Sequence, residues 1–179
     1  QGGVGTASVT ITIAGVDVCV GAIAVVNAHG SPIDRSTGLP WERGGLAMKR
    51  PSATQRRAVH DALAAPPTVG LNTTIGVVAT TARLDKAECS KVASVAHDGL
   101  ARAIRPAHSM TDGDTVFTLA TGGVALPGHD EGRVGALNQI LEAAADVFAA
   151  ACTHAVITAT AIGDAPAWRD LCPHTLDSC

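Results

Sequence analysis

With 179 residues, 46% of them hydrophobic and 16% charged, the chain can bury the core of one medium-sized domain, which excludes global disorder. A net charge of −3 and a pI near 6.1 leave no basic footprint for nucleic acid. Aromatic residues make up 2%, with two Phe, two Trp and no Tyr, so Ala, Val, Ile and Leu must build the core, and 19 glycines predict helices packed closely on strands.

The chain opens on Gln1 and runs directly into Gly2-Gly3-Val4-Gly5, as an internal stretch of a longer protein does. No Lys-Ser/Thr pair follows those glycines, so they do not form a phosphate loop. Residues 6–13 alternate polar and apolar with period two, which predicts a strand with one buried face. Gly15 marks a turn, and the apolar run from Val16 to Ala28 predicts a hairpin partner ending at Val25-Val26-Asn27.

From His29 to Gly70 the sequence is loop-like, punctuated by Pro32, Gly38, Pro40, Gly44-Gly45, Pro51 and Pro66-Pro67, with one short helix over 53–64. So long a stretch with so little regular structure is expected to be functional or a linker, here a linker leading to a cleavage point. It ends at Asn72, and the β-branched run from Thr73 to Thr80 predicts a buried strand. A Thr at the start of a strand acquires a particular chemistry if the bond before it is cut. It then carries a hydroxyl nucleophile and a free α-amine, whose pKa of about 7.7–8.0 suits it to act as base for its own hydroxyl. The ordinary alternative is that Thr73-Thr74 reflects β-propensity alone.

Leu84 to Ile104 predicts a helix. Asp85 and Glu88 form a D-x-x-E capping box, Leu84 can staple against Cys89, and Val92, Val95, Ala96, Leu100, Ala103 and Ile104 give one apolar face before Pro106 stops it. In Asp112-Gly113-Asp114, two carboxylates flank a glycine ahead of a strand. They are expected to share a site only if Gly113 turns the chain, and otherwise to form an ordinary Asp-Gly turn. Residues 122–132 read as a loop. A long helix follows from Glu131 to about Ala161 on Val134, Leu137, Leu141, Ala144, Phe148, Ala151, Ala155 and Ala159, although Val156-Ile157-Thr158 allows a final strand. After Gly163 the tail reads as irregular. No repeat appears, and the element order implies sheet and helix layers.

Cys19, Cys89, Cys152, Cys172 and Cys179 are odd in number and irregularly spaced, which argues against a disulfide framework or a zinc site. Buried free thiols in a reducing, cytoplasmic compartment are expected, with a Cys172–Cys179 bridge as the alternative. None of the seven histidines has HExxH or i, i+4 spacing, and His97 is expected to be a satisfied core histidine, with lining a site as the alternative. There is no G-x-S-x-G elbow. Neither a signal-peptide pattern nor a membrane-length apolar run is apparent, so no membrane association is expected.

Asn72-Thr73-Thr74-Ile75-Gly76-Val77-Val78-Ala79-Thr80, Ala96-His97-Asp98-Gly99-Leu100-Ala101-Arg102 and Asp112-Gly113-Asp114-Thr115-Val116-Phe117 occur in this order, behind Gly2 to Ser8 and Val25-Val26-Asn27-Ala28. Together they resemble the self-processing family of L-aminopeptidase/D-esterase, β-peptidyl aminopeptidases and nylon-oligomer endohydrolase, over nearly the whole chain to about Ala161. The resemblance implies a four-layer α/β/β/α sandwich of the N-terminal-nucleophile-hydrolase type. It implies autocleavage between Asn72 and Thr73, so that residues 1–72 end a first chain and 73–179 form a second that begins at the nucleophile. Thr73 is then the nucleophile, with Thr74 as its competitor. Asp112 and Asp114 orient its hydroxyl and ammonium, and Asn27 donates to the oxyanion. The implied partners are a small peptide or amide substrate, the other chain of the cleaved precursor and a further copy in a homo-oligomer. No metal or cofactor is implied.

The family's precursor is about twice as long as this chain. Its oxyanion-assisting Tyr lies in the half upstream, and a Lys often stands where this chain has Gln1. Two other readings fit the same residues, an acyltransferase of the ornithine acetyltransferase type and an unprocessed homologue with a structural role.

Overall fold

The computed structural model describes residues 2–64, 72–128 and 131–176. Strands β1 (Gly3–Ile13), β2 (Val16–Asn27), β3 (Thr73–Ala82) and β4 (Thr115–Val124) form one sheet in the order β1-β2-β3-β4. The first two pairings are antiparallel and β3–β4 is parallel. The hairpin closes through Ala14 (φ 50°) and Gly15 (φ 80°), the two left-handed residues that a tight β1–β2 turn requires.

Helix α1 (Ala53–Ala64) lies in the long connection, α2 (Lys86–Ala103) crosses from β3 to β4, α3 (Glu131–Thr158) follows β4, and α4 (Trp168–Leu171) lies in the tail. The capping box of α2 forms as expected. The Asp85 carboxylate accepts from the Glu88 N–H at 2.8 Å, and Glu88 accepts from the Asp85 N–H at 2.9 Å. Glu88 also accepts from Arg133 Nε at 2.8 Å, which ties the start of α2 to the first turn of α3. Ser52 and Gln55 form a similar reciprocal pair at the start of α1.

Helices α2 and α3 cover one face of the sheet. That face is built from Val18, Val20, Ala22, Ala24 and Val26 of β2 and Thr74, Val78, Thr80 and Ala82 of β3, all buried. Small residues permit the close approach. A Cβ on Gly76 would lie 2.2 Å from the Phe148 ring, and one on Gly99 would lie 2.1 Å from the Ala145 carbonyl oxygen. The other face is apolar and uncovered by the described residues, with Ile23, Val25, Ile75, Phe117 and Leu119 each exposed by 43–57%. The described chain therefore supplies one helical layer and one sheet of the expected sandwich.

Several expectations need correction. Residues 31–52 contain little regular structure, yet they are tied into the molecule. Ile33 bridges Pro40, Met48 bridges Leu176, and Ile33 and Leu39 share a second core with Val59, Val156, Ile157, Trp168 and Cys172. Residues 65–71, the stretch directly before Asn72, lie outside the described residues. Strand β4 runs through Gly122 to Val124 rather than ending in a loop. It advances from Ala120 to Val124 while β3 advances from Thr80 to Ala82, and Gly122 (φ 74°) takes the resulting bulge.

Val156 and Ile157 stay helical because both are buried in the second core, where packing outweighs β-propensity. Val134 is 59% exposed, and the buried stripe of α3 begins at Ala136. The tail is anchored by Trp168, 4% exposed, whose Nε1–H donates to the Gly38 carbonyl at 2.8 Å. By length and composition α3 is apolar enough to cross a membrane, but 72% of that window is buried within the fold, as in a core helix. Cys152 and Cys172 are buried as expected, Cys19 is exposed, and Cys179 lies outside the described residues.

Candidate active site

The site forms where three chain segments meet at one end of the sheet. Antiparallel pairing sets Asn27, the last residue of β2, directly opposite Thr73, the first of β3. The parallel β3–β4 register extends one step beyond the strands, where Asn72 bridges Asp112. Thr73 is thus flanked by Asn27 on one side and Gly113 on the other.

Gly113 serves both sides of the Asn72–Thr73 bond. Its N–H donates to the Asn72 carbonyl oxygen at 3.0 Å, and its own carbonyl accepts the Thr73 hydroxyl at 2.8 Å. Asn72 in turn donates from Nδ2 to the Asn27 carbonyl at 3.2 Å. Alternation along β3 turns Thr73 to the open face and Thr74 to the helix side. Thr74 is 0% exposed, and its hydroxyl has no partner among the described residues.

Asp112 and Asp114 do share one region, but Gly113 is not among the left-handed glycines. Residues two apart in extended backbone point to the same face by pleat alone, so no turn is needed. Asp112 accepts from the His29 N–H at 3.0 Å through Oδ1, and from the Ser109 hydroxyl at 2.7 Å and N–H at 3.2 Å through Oδ2. Burial pushes the Asp112 carboxyl upward, but the His29 and Ser109 donors outweigh it and hold the carboxyl below the usual carboxylate range.

Asp114, with a side chain only 3% exposed, accepts from the Thr74 N–H at 2.7 Å through Oδ1, and at Oδ2 it accepts from the His108 backbone N–H at 3.3 Å and lies 2.8 Å from His108 Nδ1. Asp114 thus reaches the chain beside Thr73 through the Thr74 N–H, the Asp112 carboxylate is held by His29 and Ser109, and the Thr73 hydroxyl itself bonds to Gly113.

His108 and Ser109 escaped the sequence reading. Ser109 had a local signal, since Ser109-x-x-Asp112 has the spacing of a side-chain-stabilised turn, and the Asp112 N–H does donate to the Ser109 carbonyl at 3.0 Å. His108 had none, because its partner depends on the fold. His97, expected in the core, is half-buried and lies with its ring centroid 4.9 Å from that of His108. Burial pushes the His97 pKa down and the nearby His108 adds to this, against the opposing charges of Asp114 and Asp98.

The arrangement brings together a hydroxyl adjacent to a peptide carbonyl, an N–H on that carbonyl's oxygen, and two oriented carboxylates. Such a group is equipped for acyl chemistry at the Asn72–Thr73 bond and, once that bond is open, at Thr73.

The sequence profile of peptidase family S58 matches residues 1–166. An uncharacterized aminopeptidase of Mycobacterium tuberculosis is 44% identical over 191 residues, which is 99% of this chain and 54% of that protein. A 6-aminohexanoate-oligomer endohydrolase of Kocuria sp. is 32% identical over 127 residues, 66% of this chain and 35% of that protein. The chain spans about half the length of the mycobacterial relatives it matches. Among solved structures, the L-aminopeptidase D-Ala-esterase/amidase of Ochrobactrum anthropi, a variant of the Ntn hydrolase fold, superposes with a TM-score of 0.62 at 22% identity, over 93% of this chain and 43% of that one.

Proposed function

The chain belongs to peptidase family S58, and from that premise we propose that it carries the cleavage point and the nucleophile of a self-processing amide hydrolase of the aminopeptidase type. The observation that supports this most directly is the double engagement of Gly113 with the Asn72 carbonyl oxygen and the Thr73 hydroxyl.

In the uncut chain, Thr73 Oγ attacks the carbonyl carbon of Asn72, and the charge that develops on the Asn72 oxygen meets the Gly113 N–H. The hydroxyl proton goes to the departing Thr73 nitrogen, the acyl group moves from nitrogen to oxygen, and water hydrolyses the ester. Asn72 is left as a carboxylate, and Thr73 has a free hydroxyl and amine. That amine then takes the hydroxyl proton as Thr73 attacks a substrate amide. Asp112 and Asp114 offset the positive charge that forms there. The Asn27 side chain shares the open face with Thr73, where a donor to the oxyanion is worth roughly 3–4 kcal/mol.

The two chains stay together after the cut. Strand β2 belongs to the first and β3 to the second, and they are paired from Val20–Thr80 to Asn27–Thr73. Substrates are peptides or other amides, and the oligomer hydrolase among the relatives extends that class beyond α-peptides. The assembled state is a homo-oligomer and the compartment is the cytoplasm, to which the buried thiols Cys152 and Cys172 are suited.

The test is the intact mass of the full-length protein after incubation at neutral pH, alongside Thr73→Ala. The expected result is a break at Asn72-Thr73 in the wild type, with a single chain and no amide hydrolysis in the variant. A Thr73→Ala protein that hydrolyses amides at the wild-type rate would overturn the nucleophile assignment.

A further inference from the structure

We propose that His108 is a positioning residue that fixes Asp114 against the first amide of β3 after Thr73, so that the carboxylate is aimed before the Asn72–Thr73 bond opens. The proposal rests on the reading of Thr73 as nucleophile.

Four observations carry it. First, the Asp114 side chain is 3% exposed, and each of its oxygens is occupied, Oδ1 by the Thr74 N–H and Oδ2 by His108. A buried carboxylate that loses half its donors retains its desolvation cost uncompensated. Second, His108 approaches the same oxygen twice, from Nδ1 at 2.8 Å and from its backbone N–H at 3.3 Å. Third, it does so from a left-handed backbone (φ 54°), a conformation uncommon outside glycine that surrounding contacts must maintain. Fourth, the next residue performs the same service for the other acid, since Ser109 donates twice to Asp112 Oδ2. The dipeptide His108-Ser109 thus holds one carboxylate with each residue.

The surroundings suit a fixed donor. His97 of α2 lies against the His108 ring, and the charges of Asp98 and Asp114 act on His97. From α3, Cys152 faces Asp114. Burial, together with that carboxylate's charge, pushes the Cys152 thiol up to about 12, so it adds no charge near neutral pH.

Asparagine is the discriminating replacement. It tolerates the left-handed backbone, and its Nδ2 presents an N–H at the same remove from the main chain as histidine Nδ1. Glutamine carries its amide one bond too far. The experiment compares His108→Ala, His108→Asn and His108→Gln in the full-length protein. It measures the self-cleavage rate at Asn72-Thr73 by intact mass, kcat and KM on a small amide substrate, thermal unfolding, and hydrogen exchange at the Thr74 amide.

The expected result is that His108→Ala and His108→Gln cleave themselves about tenfold more slowly or worse and lose kcat rather than KM, while His108→Asn restores most of the rate, as the loss and return of one hydrogen bond to a charged group predicts. A purely structural role would lower the unfolding temperature of all three without separating Asn from Gln. A folded Ala variant with wild-type cleavage and turnover, or a folded Asn variant no better than Gln, would overturn the proposal. A wild type that neither cleaves nor hydrolyses defeats the Thr73 reading instead. In that case the Thr74 amide still decides whether His108 fixes Asp114, since faster exchange in the Ala variant than in the Asn variant upholds it and equal exchange overturns it.

Discussion

Thr73 and Thr74 carry the same side chain one peptide apart, and the pleat of β3 gives them opposite surroundings. The Thr73 hydroxyl turns to the open face and donates to Gly113, whereas the Thr74 hydroxyl is 0% exposed and lacks a partner among the described residues. A buried hydroxyl without a partner costs stability, so Thr74→Val should leave self-cleavage intact and raise stability by about 1 kcal/mol, seen as a higher denaturation midpoint at unchanged slope. Loss of cleavage in a folded Thr74→Val protein would transfer part of the chemistry to the second hydroxyl. Alternation makes this distinction readable from sequence once the strand is known. The same rule puts Asp112 and Asp114 on one face, where the sequence reading invoked a glycine turn. What sequence could not supply was the part played by His29 and His108, because they arrive from connections whose paths are set by non-local packing, whereas Ser109 stands three residues from Asp112 and carried a local signal.

Elements defined by local chemistry were legible, and those defined by distant partners were less so. The capping box of α2 needs only residues 85–88, and the sequence locates that helix start to within two residues. The end of β4 was not legible, because Gly122-Gly123 reads as a turn until β3 is known to lie alongside and continue the pairing to Val124. The end of α3 was ambiguous for the same reason, since Val156 and Ile157 are held helical by a core contributed by residues 33–63 and 168–172. Glu88 joins local and distant roles, capping α2 and binding Arg133 of α3, with both side chains 16% exposed. Glu88→Ala should therefore destabilise by about 2 kcal/mol, as a lost cap together with a charged group left without its partner predicts. Glu88→Gln keeps the capping geometry and should recover roughly half of that in denaturant unfolding. Equal losses in the two variants would mean that the ion pair alone carries the effect.

The whole molecule is defined by the two faces of one sheet. Helices α2 and α3 bury the first. The second presents Ile23, Val25, Ile75, Phe117 and Leu119 beside Thr73 and Asn27, and an apolar face of this kind marks an interface. The sandwich reading puts a second sheet there in the full-length protein, which would place Thr73 between two layers, away from bulk water, where an oxyanion donor acts most strongly. Leu119, 57% exposed in the described chain and remote from the reacting bond, tests the idea without touching the chemistry. If the face is covered, Leu119→Ala in the full-length protein should cost about 2–5 kcal/mol, the range for truncating a core leucine. If it is open to solvent, the change should fall within about 0.5 kcal/mol, as for an ordinary surface substitution. A large loss would show that the apolar edge of the site is completed from outside the described residues. A small one would speak against a second sheet there and leave Thr73 on an open surface.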